Sequence, residues 1–565
     1  MIAYVYWHDE VSTYKQTTIN IATLAGTMFG QVMFGFLADR FGRKKMYGVE
    51  LVVLIGSTLG VVMCSTGVHN SMNVYAWLIW WRIMVGVGVG ADYPLSAVIT
   101  SEYDDGPLSI WSLANRRRFA PTKHRARMLA SVFFMQPLGQ ISGNVVSLIV
   151  ISVTRHQGNP DLAHAVDIMW RWVIGIGVIP GVLAIIFRFA IPETPRFQID
   201  IEDDPIKAEF DASQLFGEPT RETELGPVAW ADSITASNAS QASQSTTGET
   251  ADSPDWTIGG TAPPTLNSKW TLSRADIKKY FWEEGNWRTL FATSFSWLLL
   301  DFGFYGIGLS SPQFLAKTWG TLNITGPSPV WKTNDDPDAN IYTMFLHTSV
   351  QALVILNIGS FAGVLLLILF GNRLNRVSLQ KYGFLFLAAL FIALGTVFIT
   401  VHEEGALAIV LIAIGQLGFN FGPFIFSRPI PPSLMTFLGP NSTTYQLPAE
   451  IFPTRYRGSC YGISAASGKL GSVLVQVFSL YYKFGSSSPG AESTKRYGTI
   501  LIIFSAAMIL GAVVTHFWIP DVQETNKGTL WSGKPKTLEV LALGRMGTRS
   551  HSVARGRPFR TLDEF

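Results

Sequence analysis

Three charged residues stand inside long apolar runs of this chain: Asp92, Asp301 and Lys469. Glu50 and Arg82 are further charges in apolar surroundings, less sharply placed. A charge within a membrane-length apolar run is costly and marks function by default. Asp301 falls between Trp297 and Tyr305 at i, i+4 and i+8, so the three share one helix face. Trp297 alone would read as packing, but a carboxylate between two aromatic donors makes the stripe a candidate site. Its chemistry would be that of an anion coupled to a proton. A carboxylate beside a bound anion repels it when ionised, and burial favours the neutral form. Proton uptake by Asp301 or Asp92 would favour anion binding, and proton loss would favour release. Lys469 could attract the anion, or neutralise an aspartate in a permanent ion pair.

The elements that must position these residues are membrane helices. Of 565 residues, 48% are hydrophobic and 15% charged, against about 25% charged in soluble domains. A bilayer core needs about 20 apolar residues per helix. Eleven such spans are expected, near 17–38, 46–67, 74–101, 128–153, 168–191, 288–309, 343–370, 382–401, 405–427, 458–482 and 499–519. Loops rich in Lys and Arg belong on the cytoplasmic side. Arg40, Arg43, Lys44 and Lys45 follow the first span, Lys123, Arg125 and Arg127 the third, Arg373, Arg376 and Lys381 the seventh, and Arg455 and Arg457 the ninth. Residues 1–16 then lie outside and the tail from Pro520 inside.

A net charge of +3 is too small to argue for nucleic acid. Cys64 and Cys460 exclude a disulfide framework or a multi-cysteine metal site. No nucleophile–base pair, metal spacing or phosphate-cradling loop is present, so neither an enzyme nor a cofactor is expected. The loop near 192–287 is polar, and its Ser/Thr-rich stretch Ser233–Ser253 reads as disordered. Arg545, Arg549, Arg555, Arg557 and Arg560 give a basic, solvated tail.

The chain repeats itself. Asp39-Arg-Phe-Gly-Arg43 after the first span is echoed by Asn372-Arg-Leu-Asn-Arg376 after the seventh. Glu102, with Pro121-Thr-Lys-His-Arg125 once Tyr103–Arg118 is set aside, is echoed by Glu450 with Pro453-Thr-Arg-Tyr-Arg457. Two similar halves related along the membrane normal are a transporter plan.

Gly35-Phe-Leu-Ala-Asp39-Arg40-Phe-Gly42-Arg43-Lys44-Lys45 resembles the signature loop of the major facilitator superfamily, and Pro192-Glu193-Thr194-Pro195-Arg196 is similar to the motif of its sugar-porter-like members. Four further stretches resemble fungal proton-coupled inorganic phosphate symporters: Gly90-Ala-Asp92-Tyr93-Pro-Leu-Ser96, Met135-Gln136, Trp297-Leu-Leu-Leu-Asp301-Phe-Gly-Phe-Tyr305, and Ile463-Ser-Ala-Ala-Ser-Gly468-Lys469. The resemblance implies an all-α integral membrane protein with two six-helix halves. The N-terminal half would be 1–197, a cytoplasmic loop 198–286, the C-terminal half 287–520 and a tail 521–565. It implies a phosphate site of Tyr93, Gln136, Trp297, Asp301, Tyr305, Asn441 and Lys469, with proton coupling at Asp92 and Asp301. Asp39, Arg43, Glu102, Glu193, Arg196, Glu450 and Arg455 would be gating-motif residues. The expected function is phosphate transport by proton symport at the plasma membrane. A sugar or glycerophosphodiester carrier, or a nutrient sensor on the same scaffold, are the rival readings.

Three departures stand out. The family has a further first helix, of which only Met1–Trp7 matches. Tyr103–Arg118 interrupts a cytoplasmic loop, and Pro423–Gly439 interrupts the ninth span with Pro423, Pro429, Pro431 and Pro432. Prolines at that density cannot continue a membrane helix. Both segments are read as translated introns, with true insertions as the alternative. As written, the second places Asn441 outside any helix containing Gln416.

Overall fold

The computed structural model describes residues 1–7, 13–103, 125–157, 162–194, 274–318, 341–370, 375–400, 405–421, 439–482 and 491–520, with short pieces at 197–198, 201–202 and 207. Among these residues every extended element is helical. The order is α1 (Ile2–Trp7), α2 (Thr13–Phe41), α3 (Arg43–Val62), α4 (Val74–Tyr103), α5 (Arg125–Gln157), α6 (Leu162–Gly175) and α7 (Val178–Ala190). There follow α8 (Arg274–Lys278) with a π turn to Glu283, α9 (Trp287–Thr318), and α10 (Ile341–Gln351) running through a second π turn into α11 (Ile358–Phe370). The chain continues with α12 (Arg376–Thr400), α13 (Gly405–Phe421), α14 (Pro440–Ile451), α15 (Thr454–Tyr482) and α16 (Ala491–Trp518).

Nine described helices are long and apolar enough to cross a membrane. In lipid a helix satisfies its own backbone, which is why such apolar runs fold this way. Two of the eleven expected spans fall outside that class. The ninth is cut short: α13 ends at Phe421, and its apolar core is only Leu407–Asn420. The tenth, α15, is 29 residues long but polar, carrying buried Ser464, Lys469, Ser472 and Gln476. It lies between α2 and α9, so neighbouring helices rather than lipid cover its polar face. The expected span at 168–191 begins earlier, at Leu162, and divides at Ile176–Gly177.

Helices α2, α3 and α4 pack together, as do α9, α12, α15 and α16. The two sets meet where α2 lies on α15 and where α5 lies on α10 and α11. The α2–α15 contact is backbone on backbone. A Cβ added at Gly35 would stand 2.4 Å from the Gly458 carbonyl oxygen, and one at Gly462 would stand 2.2 Å from that of Gln31. Only glycine permits so close a crossing.

Residues 104–118 of the first interruption, 423–438 of the second, the stretch Ser233–Ser253, Arg196 and the basic tail lie outside the described residues.

Candidate functional site

Lys469 of α15 is 5% exposed, and its ammonium donates to Asp301 Oδ2 and to the Tyr305 hydroxyl of α9, both at 3.0 Å. Ser472, one helical turn on, donates to the same Asp301 oxygen at 3.3 Å. The spacing expected for Trp297, Asp301 and Tyr305 does present them on one face, with Trp297 and Asp301 3% and 2% exposed. Tyr93 of α4 approaches from the other helix set, its ring 5.3 Å from the Lys469 ammonium. Four of the seven expected substrate residues thus converge: Tyr93, Asp301, Tyr305 and Lys469. Trp297 borders them, edge-on to Tyr461 at 5.7 Å. Gln136 is half-buried on α5 and makes no side-chain hydrogen bond among the described residues. Asn441 stands at the start of α14 and donates to Asn420 Oδ1 of α13 at 3.1 Å, so the break in the ninth span leaves both sides adjacent.

On the basic-loop side of this cluster lies an aromatic layer. Tyr445 of α14 contacts Phe133, Tyr461 and Tyr93 with ring centroids at 5.2, 5.9 and 6.5 Å. The hydroxyls of Tyr445 and Ser96 share a hydrogen bond at 3.3 Å, joining α14 to α4.

Beyond it is a dry network of charges that also joins the two sets. Arg43 and Glu102 are both 0% exposed and pair at 3.3 Å. Arg43 donates to Asp39 at 3.3 Å and to the Thr454 carbonyl at 2.7 Å. Asp39 accepts from the backbone N–H of Gly458 and Ser459 at 3.0 and 2.7 Å. Arg457 donates to Glu102 at 2.8 Å, and Thr194 to its second oxygen at 2.7 Å. Glu193 accepts the N–H groups of Arg43, Lys44 and Thr194 at 3.0, 3.2 and 3.1 Å, capping α3 from outside. Burial raises the Glu193 carboxyl above its ordinary value, against the pull of those N–H groups. Gly42 makes the turn possible: its φ of 99° suits glycine, and Glu193 Oε2 lies 2.5 Å from where a Cβ would be.

The repeat is visible in this chemistry. Glu450 pairs with Arg376 at 2.9 Å, as Glu102 pairs with Arg43. Arg455 departs from expectation. It pairs with Asp276 of α8 at 3.2 Å, and Arg457 is the cation that enters the network. The two are two residues apart on a helix and so point different ways.

Asp92 is not part of the lysine cluster. It pairs at 2.9 Å with Arg188 of α7, which also pairs with Glu50 of α3 and lies 3.7 Å over the Tyr47 ring.

A profile of the sugar (and other) transporter family matches residues 3–251 and 433–529. The chain belongs to that family. This transporter is 32% identical to the repressible high-affinity phosphate permease of Neurospora crassa, over 96% of its own length and 81% of the permease. It is equally similar, at 32%, to the inorganic phosphate transporter PHO84 of Saccharomyces cerevisiae, over 94% and 79%. Its fold is that of the major facilitator superfamily. The proton:xylose symporter XylE superposes with a TM-score of 0.58 at 16% identity, covering 93% of this transporter and 89% of XylE. It is a multi-pass membrane transporter and not an enzyme.

Sequence reasoning missed Arg188, Ser472 and Tyr445, and assigned Arg457 no role beyond the repeat and the basic loop. Arg188 stands near the end of the expected span 168–191, before Phe189-Ala-Ile191 and Pro192, where it resembles an ordinary flanking cation.

Proposed function

We propose that this transporter carries inorganic phosphate across the plasma membrane together with protons, by alternating access. The observation that carries the reading is the buried Lys469 ammonium, held by Asp301 and Tyr305 and faced by Tyr93 from the opposite helix set. With Asp301 ionised, Lys469 is already neutralised and an anion gains little. With Asp301 protonated, Lys469 is free to pair with phosphate, while the carboxyl, Tyr305 and Tyr93 hydroxyls can donate to its oxygens. Gln136, Trp297 and Asn441 are the remaining proposed donors. Transfer of a monovalent phosphate inward against a negative interior costs about 2.3 kcal/mol per 100 mV, so uptake gains from that field only with more than one proton. The names of the fungal relatives agree with this substrate. A sugar carrier is the second reading, favoured by the family description, but a buried Asp–Lys pair fits an anion better than a neutral sugar.

Labelled phosphate uptake into cells lacking their own phosphate transporters tests the proposal. Accumulation that collapses on dissipating the proton gradient is expected. Uptake of xylose or a glycerophosphodiester instead would overturn the substrate, and absence of all uptake would favour a sensor.

A further inference from the structure

Tyr461 of α15 is 0% exposed, and its hydroxyl has no hydrogen-bond partner among the described residues. A buried hydroxyl without a partner is destabilising, and phenylalanine would fill the same space without that penalty. Buried serine and threonine hydroxyls escape it by turning onto a carbonyl of their own helix. A tyrosine hydroxyl stands too far from its own backbone to do so. Nearby hydroxyls are already committed. Ser96 donates to the Asp92 carbonyl at 2.6 Å, so Tyr445 is the donor in the Ser96–Tyr445 bond. Thr293 donates to the Leu290 carbonyl at 3.1 Å, so Ser464 is the donor in the Thr293–Ser464 bond. Tyr461 keeps an unspent donor.

The place of Tyr461 on α15 gives that donor a use. The helix begins in the charge network, with Arg457 on Glu102 and the Gly458 N–H on Asp39. Tyr461 follows one turn later, and Lys469 stands eight residues beyond it, about 12 Å along the axis. Between Arg457 and Lys469 the helix carries no charge. Rings connect the two levels. Trp297 is edge-on to Tyr461 and lies against the Gly468 backbone, where its ring would meet an added Cβ at 2.5 Å. Tyr445 is edge-on to Tyr461 and to Tyr93, which faces Lys469. A route from the lysine cluster to the basic-loop side therefore passes Tyr461.

We propose that the Tyr461 hydroxyl is a second phosphate-binding group, which receives the anion on its way from Lys469 to the basic-loop side. The proposal rests on the phosphate reading above and adds a position to it. A layer of rings without donors would make the anion give up the first site before water could replace it, at a large desolvation cost. One hydroxyl donor in that layer lowers the barrier. Because the donor is neutral, it holds phosphate less tightly than Lys469 does. That suits a step on a route, where the ion must bind well enough to enter and weakly enough to leave. The ligand then supplies the partner that the described residues do not.

Tyr461→Phe in the full-length protein tests this, read by melting temperature, by equilibrium binding of labelled inorganic phosphate and by the rate of phosphate exchange across vesicle membranes. Melting temperature should be unchanged or higher, and binding at the lysine cluster unchanged. Exchange should slow by about tenfold or more, as for the loss of a hydrogen bond to a charged group. Ser464→Ala is the control: it removes a buried hydroxyl from the same helix, one bonded to Thr293 at 2.9 Å, and should leave exchange at the parental rate. Parental exchange in Tyr461→Phe overturns the proposal. So does slowing that merely follows a fall in melting temperature or in binding, and so does equal slowing in Ser464→Ala. A parent that exchanges no phosphate refutes the functional reading itself, and this proposal with it.

Discussion

Asn441 donates to Asn420 at 3.1 Å although 21 positions separate them in the chain. Ser442 donates to the Asn420 carbonyl oxygen at 2.9 Å, and the Gly439 backbone lies against the Phe419 carbonyl. Without residues 423–439, Asn441 would stand four positions after Asn420, the ordinary neighbour on a helix face. Helices α13 and α14 thus meet as two pieces of one span.

Deleting residues 423–439 should therefore preserve the fold. The shortened chain is expected to melt no lower than the parent and to take up phosphate at least as well. A melting temperature several degrees lower in a thermal-shift assay would show that the segment is structural.

Asp301→Asn should abolish proton-driven accumulation, because the amide cannot titrate, and should impair counterflow less. It also strands the buried Lys469, at a cost of about 3–5 kcal/mol. Adding Lys469→Gln should recover much of that stability and none of the accumulation. Accumulation by Asp301→Asn at alkaline external pH would remove Asp301 from coupling.

Tyr305→Phe deletes a hydroxyl that contacts Lys469 at 3.0 Å. Hydrogen bonds to charged groups contribute about 1.5–3 kcal/mol, so half-saturation for phosphate should rise about tenfold or more. Gln136→Ala should do the same by removing an amide donor. Unchanged half-saturation in both would exclude them from the site.

Arg457→Gln removes the Glu102 ion pair that spans the two sets, while Glu102 keeps Arg43. The loss should approach the lower end of the about 3–5 kcal/mol typical of broken buried pairs. A shift of that size moves much of the population toward the form open on the basic-loop side. Labelling of a cysteine placed at Ser96 from that side should quicken, and an unchanged rate would mean that the network does not hold the gate.

Gly42→Ala forces a side chain into a conformation, φ 99° and ψ 151°, that costs about 1–3 kcal/mol, and against Glu193. Thermal stability should fall accordingly. A neutral outcome would mean that α3 can start elsewhere.

The helices and the lysine cluster were legible because apolar runs of membrane length announce themselves, and because Asp301 and Lys469 interrupt such runs. Arg188 was not legible: a cation at the end of an apolar run, one turn before Pro192, reads as a boundary marker, and only packing turns it onto Glu50 and Asp92. Arg455 and Arg457 were equally plausible from sequence, since nothing in the alternation Arg-Tyr-Arg says which faces inward. The polarity of α15 weakens its hydropathy signal for the same reason that it matters, since its charged face is turned onto other helices.

The glycine crossing of α2 and α15 bears on how the molecule moves. Where long side chains interlock, one element passes another only by lifting each tooth from its socket. At Gly35, Gly458 and Gly462 there are no teeth, only two smooth backbones in contact. On the proposed alternating-access reading such a surface would work as a bearing about which the halves roll, with the charges at one end as the catch.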